Sequence, residues 1–160
     1  MEAMDNERAA IKNMETAECL QLLGENYIGR LAYIYAGSPH IVPITYFHDG
    51  EEKCILGYSS PGYKIKAMEK NARVALQVDD ILSIEQWRSV LVHGNFEELE
   101  GSTAKKYLRR FAEGVQNTIS QKKGKAPRFI TDLSSRSQEG GIPIVYRIDI
   151  TDIVGKIRGD

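Results

Sequence analysis

The stretch "GYSSPGYKIKAMEKN", residues 57–71, gathers two hydroxyls, a glycine and a lysine at the front of a helix. Ser60 suits the N-cap and Pro61 the first helical position, so the start signal falls there. A helix N-terminus carries partial positive charge and open N–H groups, which favour Asp or Glu in the first turn. This helix opens instead with Lys64 and Lys66, and its first acid is Glu69. Open N–H groups, the Ser59 and Ser60 hydroxyls, close approach at Gly62 and the charge of Lys64 together suit a phosphate dianion. The alternative is that both lysines simply point to water. A second helix, at 103, also has early lysines, Lys105 and Lys106, but Glu97, Glu98 and Glu100 lie just before it. No acid plays that part near Ser60.

Other catalytic patterns are missing. The chain has no G-x-G-x-x-G, no G-x-x-x-x-G-K-[ST], no G-x-S-x-G and no H-E-x-x-H. His40, His48 and His93 are scattered over strand-like runs and read as structural or surface histidines. Asp79-Asp80 and Glu97-Glu98 fall in exposed-looking turns and receive no acid–base role. Cys19 and Cys54 stand alone, without a C-x-x-C or a nearby histidine pair. They read as two buried thiols, with no metal site, in a reducing cytoplasm. Whatever chemistry occurs is not carried by a side-chain constellation.

The turn needs a frame. At 160 residues and 42% hydrophobic, the chain suits one globular domain, 1–160, large enough for a core. A net charge of −1 argues against a dedicated nucleic-acid or membrane-surface protein. No apolar run is long enough to span a bilayer, and the charged N-terminus lacks the apolar stretch of a secretion signal, so a cytoplasmic location is expected.

"TAECLQLLGEN" reads as a short amphipathic helix with Leu20 and Leu23 inward. "YIGRLAYIYAG", "HIVPITYFHDG" and "EKCILGYS" are strand-like runs, the last two joined through an Asp49-Gly50 turn. The helix at 61–71 leads into "RVALQVDD" and "IEQWRSVLVHGNFEEL". The clearest helix is 103–120, with Ala104, Leu108, Phe111, Val115 and Ile119 on one side, and "IPIVYRIDITDIVGK" is a final strand. Residues 1–15 and the polar 121–142 read as mobile segments. Six strands, several apolar on both faces, predict a mainly β chain: a sheet rolled into a barrel, with helices over its ends and gaps. Pro43 cannot donate to a central ladder, so it marks an edge or a bulge. Neighbouring backbone groups are then open to a ligand, or the edge is bare.

The series "GRLAYIY…HIVPITYFHDGEEKCILGYSSPGYKIKAMEKNARVALQVDD…WRSVLVHGNFEEL…VYRIDITDIVGK" resembles the pyridoxamine 5′-phosphate oxidase-like flavoproteins. Within them it is most similar to the branch of the nitroimidazole-resistance proteins. The order and spacing of the segments carry the resemblance, well over 16–101 and more loosely at Gly155-Lys156. It implies an FMN-binding split β-barrel, a homodimer with two flavins at the subunit interface. It also implies that Lys64, with Ser59 and Ser60 and beside Tyr58, holds the FMN phosphate. Pro43, Ile44, Thr45 and Tyr46 would lie along the flavin ring. Trp87, Arg88 and Ser89 would reach FMN from the partner subunit, and Lys156 joins the same set.

FMN would supply the redox chemistry and the protein position and electrostatics, in keeping with the missing catalytic constellation. Backbone near Pro43 would meet the heteroatom edge of the flavin, and Arg88 would favour negative charge at the pyrimidine end. Trp87 would pack on the flavin, or else in the core or the interface. Tyr58 is a departure, because many relatives carry a histidine there. Nitroreductase-like activity therefore does not carry over with the phosphate argument. The residues that recognise pyridoxamine phosphate are not matched, so that substrate is not implied.

Three functions follow from these residues. One is an FMN-dependent oxidoreductase acting on a small molecule. Another is a flavin-binding protein without turnover, for storage, sensing or electron carriage. The last is an anion- or nucleic-acid-binding module, resting on eight Lys and Arg against one acid between Ser102 and Arg128. A helix with a clean apolar stripe normally solvates its charged face, which ranks that reading last.

Overall fold

The structure, a computed structural model, describes residues 10–123 and 143–159. In chain order it contains β1 (Ile11–Asn13), α1 (Thr16–Glu25), β2 (Ile28–Tyr35), β3 (Ser38–Thr45), β4 (Phe47–Asp49) and β5 (Cys54–Ser59). Then come α2 (Tyr63–Lys70), β6 (Arg73–Ser83), β7 (Gln86–Leu99), α3 (Gly101–Lys123) and β8 (Ile144–Arg158).

The strands form one sheet in the order β3-β2-β6-β7-β8-β5-β4, with β1 added beside β8. β3 and β4 stand at opposite ends of that order, yet only Tyr46 separates them in sequence. The two edges must therefore come together, which rolls the sheet into a split β-barrel. Tyr46 fastens the seam. Its N–H donates to the Tyr27 carbonyl (2.8 Å), and its fully buried hydroxyl donates to the Leu23 carbonyl (2.6 Å). Pro43 lies on β3, an edge strand, opposite Arg30 of β2, where a missing N–H costs no ladder bond.

The corners follow from local chemistry. The β2–β3 hairpin turns at Ala36 and Gly37, both at positive φ (52° and 79°), as two-residue hairpins require. At the expected Asp49-Gly50 turn, the Asp49 carboxylate accepts the N–H groups of Glu51 (3.1 Å) and Glu52 (3.2 Å). Its other oxygen meets Arg110 at 2.5 Å, tying α3 to β4. Apolar residues collect in two clusters. Leu31, Met68, Leu76, Val90 and Ile148 belong to one, and Leu56, Phe111, Val115 and Val145 to the other, between α3 and the sheet. Ile55 joins the first, while its neighbours Cys54 and Leu56 join the second. β5 is thus buried on both faces, which explains its unbroken apolar run.

Several expected boundaries shift. Eight strands replace six, because the 40–50 run breaks at the seam and because β1 lies inside the expected mobile segment 1–15, held to β8 through Asn13↔Lys156. The helix expected at 103–120 spans 101–123, so the first three residues of the expected loop 121–142 are helical. Residues 1–9 and 124–142 of those two segments lie outside the described residues. Leu20, expected inward, is exposed; α1 buries Cys19, Leu22 and Leu23, one step around the helix. Both cysteines are buried free thiols.

Candidate functional site

The corner between β5 and α2 carries the residues singled out first. β5 ends with Ser59 opposite Ile144 of β8. The helix does not begin at Ser60, as its sequence signals suggest. Gly62, fully extended at φ −178° and ψ −178°, is the N-cap residue, and no side chain caps the helix. Ser59 Oγ donates to the Ser60 carbonyl (2.9 Å) instead. The first backbone bond of α2 runs from Lys66 N–H to the Gly62 carbonyl (3.3 Å), leaving the N–H groups of Tyr63, Lys64 and Ile65 without intrahelical acceptors.

Lys64 stands out electrostatically. It is half-buried, the first turn holds no acid, and burial alone pushes its ammonium below the ordinary lysine range. Among the described residues no carboxylate is paired with it. Other cations of the expected site do have partners. Arg88 Nη2 lies 2.9 Å from Asp80 and 3.8 Å from Glu25, and Lys156 Nζ donates to Asn13 Oδ1 (2.5 Å). The basic side chains of α3 are partly engaged too: Arg110 with Asp49, Lys122 with Asn26, and Lys106 over the Tyr107 ring.

Strand register assembles a second set. Thr45 faces Ile28, Asp79 faces Ser89, and Ser89 faces Lys156. One row away, Pro43 faces Arg30, and on the other side Ile81 faces Trp87. Side chains alternate along strands, so Pro43, Thr45, Trp87, Ser89 and Lys156 share the outer face of the barrel. Exposed Ile28, Ile41, Ile81 and Val154 lie on that face as well. Polar residues the sequence did not flag thread through it. Arg30 bonds Gln77 and Asp79, both at 3.1 Å, and Gln77 Nε2 donates to Ser89 Oγ (2.9 Å).

The remaining expected residues lie elsewhere. Ile44 and Tyr46 point into the core, and the N–H and hydroxyl of Tyr46 are engaged within the chain. Tyr58 packs against the α3 cluster. Arg88 lines, with Trp87, Asp80, Lys122 and Arg158, a cleft of about 580 Å³ beside the β6–β7 hairpin. Within one chain, the Ser59–Lys64 corner and the Ser89–Lys156 pair are not brought together. Ser59 faces Ile144 and Ser89 faces Lys156, so the two points are twelve positions apart along β8. That is roughly 40 Å along the strand before its bend is counted.

An aromatic group next to Lys64 also escaped the sequence reading. Tyr33 and His40 stack with centroids 5.4 Å apart, and Tyr35 and Tyr63 lie against them. The alternation of Tyr33 and Tyr35 before a turn was the available signal. Tyr63 belongs to another element, and only the fold adds it. His48 is half-buried, with burial holding its pKa below the usual range, and His93 is exposed.

Comparison with known proteins places the chain in a family. Residues 15–157 match the model described as pyridoxamine 5′-phosphate oxidase. An uncharacterized protein of Rhizobium meliloti, RA0666, is 38% identical over 89 residues, which span 56% of this chain and 58% of that protein. Among solved structures, a FAD-binding protein of Mesorhizobium loti superposes with a TM-score of 0.70 at 28% identity, covering 93% of this chain and 99% of that one. A protein of Bacteroides thetaiotaomicron described as a candidate 5-nitroimidazole antibiotic resistance protein gives 0.65 at 14% identity, covering 94% and 92%, a likeness of fold. With the model match spanning nearly the whole chain, this protein belongs to the pyridoxamine 5′-phosphate oxidase family.

Proposed function

We propose that the chain is a flavin-binding oxidoreductase that holds FMN by its phosphate at the Ser59–Lys64 corner. The observation that carries this reading is Lys64 itself: a half-buried ammonium at a helix start, desolvated and without an acid beside it. A dianion there meets open N–H groups, two hydroxyls and an ammonium whose desolvation has already been met by folding. The FAD-binding relative from Mesorhizobium loti supports a flavin as the ligand class.

Bound flavin supplies the electron transfer, and the chain supplies position and charge. Ser59, Ser60 and Lys64 bind the phosphate. The edge strand around Pro43, Ile44 and Thr45 orients the ring. Trp87, Arg88, Ser89 and Lys156 serve the flavin of a second copy in a homodimer. Two observations support the shared site: the two residue sets stand toward opposite ends of β8, and four exposed aliphatic residues share the outer face with Trp87 and Ser89.

The experiment is a visible spectrum of the purified protein, followed by reduced nicotinamide oxidation with an added acceptor. Flavin bands with turnover are expected. Bands without turnover would leave a flavin carrier, and neither bands nor uptake of added flavin would overturn the proposal.

A further inference from the structure

One turn of the sheet carries side chains that turn chemistry does not call for. β6 and β7 are joined beyond the pair Ser83↔Gln86, so Ile84 and Glu85 make a two-residue turn. Such turns ordinarily carry Asn, Asp or Gly. Here Ile84 is 81% exposed, and Leu82 (78%) and Ile81 (66%) stand beside it. The tip is held in shape: Arg158 Nη1 donates to the Ile84 carbonyl (2.9 Å), and the Glu85 N–H donates to Ser83 Oγ (3.3 Å). Three aliphatic side chains fixed on a hairpin tip form an apolar knob, and exposure of that kind marks an interaction surface.

The opposite end of β7 holds a hollow of matching chemistry. A largely apolar groove of about 630 Å³ lies where α3 and β8 begin, lined by Leu99, Ala104, Leu108, Ile144 and Val145. Even-numbered residues of β7 from Val90 to Phe96 are buried, so the odd-numbered ones, from Trp87 to Leu99, face outward. Ile81 faces Trp87 on that side, and Leu99 faces Val145. Knob and groove therefore share the outer face, at opposite ends of the β7–β8 pair. Roughly 40 Å of strand separates them, so the knob does not fill the groove of its own chain. A second copy can. A twofold axis on the outer face near His93, midway along β7, exchanges the two ends of the strand, and each knob then meets the other groove. The Ser59–Lys64 corner stands at the groove end, because Ser59 faces Ile144, while Ser89 and Lys156 stand at the knob end. One rotation thus serves both the shared flavin site and the knob.

We infer that Ile81, Leu82 and Ile84 at the tip of the β6–β7 hairpin dock in the α3 groove of a second copy, reciprocally, in a twofold dimer. The inference rests on the homodimer of the proposed function and names the surfaces that join it. Sedimentation of the full-length protein over a dilution series would compare the native chain with Leu82→Asp, Ile84→Asp and Ala104→Arg. The native chain should form a dimer, and each variant should weaken it by about tenfold or more, the effect of losing an apolar anchor. Cys19 and Cys54 are buried, so newly introduced thiols report contacts. Under mild oxidation, Ile84→Cys mixed with Ala104→Cys or with Leu108→Cys should give a disulfide-linked dimer, and no variant alone should. Tip variants that associate as tightly as the native chain, or Ile84→Cys linking to itself, would overturn the docking while leaving the dimer standing. A ladder of larger species would overturn its reciprocity. Loss of thermal stability in Ala104→Arg with association unchanged would mean that the groove is filled from its own chain. A native monomer at every concentration would overturn both the docking and the shared site.

Discussion

Replacing Lys64 with Ala isolates the phosphate contact. The ammonium is desolvated in the folded chain, and no described acid neutralises it, so its main partner in the complex would be the FMN phosphate. A hydrogen bond to a charged group contributes about 1.5–3 kcal/mol, or about 10- to 150-fold in Kd. A solvated surface lysine would contribute no more than about 1 kcal/mol. The assay is fluorescence titration of the stripped variant with FMN and with riboflavin, which shares the ring and ribityl chain but lacks the dianion. FMN should weaken by the larger figure, while riboflavin should barely change. Equal weakening of both ligands would show that Lys64 supports the fold and does not read phosphate, and the reasoning from desolvation would fail.

Lys64 also has a consequence for stability. Its folded pKa lies below the ordinary 10.5, so between the two values the unfolded chain binds more protons and stability rises with pH. Lys64→Met should therefore raise the melting temperature of the flavin-free protein at pH 7, with the gain shrinking toward pH 10.5; a lowered melting temperature at pH 7 would contradict the assignment. Two binding-deficient variants, Lys64→Glu and Ser89→Trp, should regain FMN binding in half of the sites of a heterodimer formed by subunit exchange. No recovery, with exchange verified, would mean that each pocket is built from one chain. Gly94→Ala would place a Cβ 2.5 Å from the Asp149 carbonyl oxygen and 2.6 Å from Ile148 Cγ2, so calorimetry should show a loss of about 1–3 kcal/mol. An unchanged melting curve would mean that β7 and β8 separate there without cost.

What could be read from the sequence was what local chemistry determines. The Asp49-Gly50 turn, the apolar stripe of α3 and the edge position of Pro43 each follow from a few neighbouring residues, and each is present. The break at Tyr46 was not legible, because it arises where two sheet edges meet across the barrel. β1 was missed for a similar reason: three exposed residues form a strand only because β8 offers them a ladder. At the candidate site, Lys64 could be singled out because an acid-free helix start is visible in one dimension. The helix start itself was misplaced by two residues, since Gly62 adopts an extended conformation that the Ser60-Pro61 signal does not anticipate. Arg30 and Gln77, which adjoin Ser89, are invisible without strand register, as they lie some 60 and 12 residues away from it in sequence.

The proposal that a flavin nucleotide is held by its phosphate at the Ser59–Lys64 corner meets its most direct test in one titration of the native, flavin-free protein with FMN and riboflavin. FMN should bind more tightly by at least about tenfold, because only FMN presents a dianion to Lys64 and the open N–H groups of α2. Equal affinities would contradict the phosphate site, whatever colour the protein has.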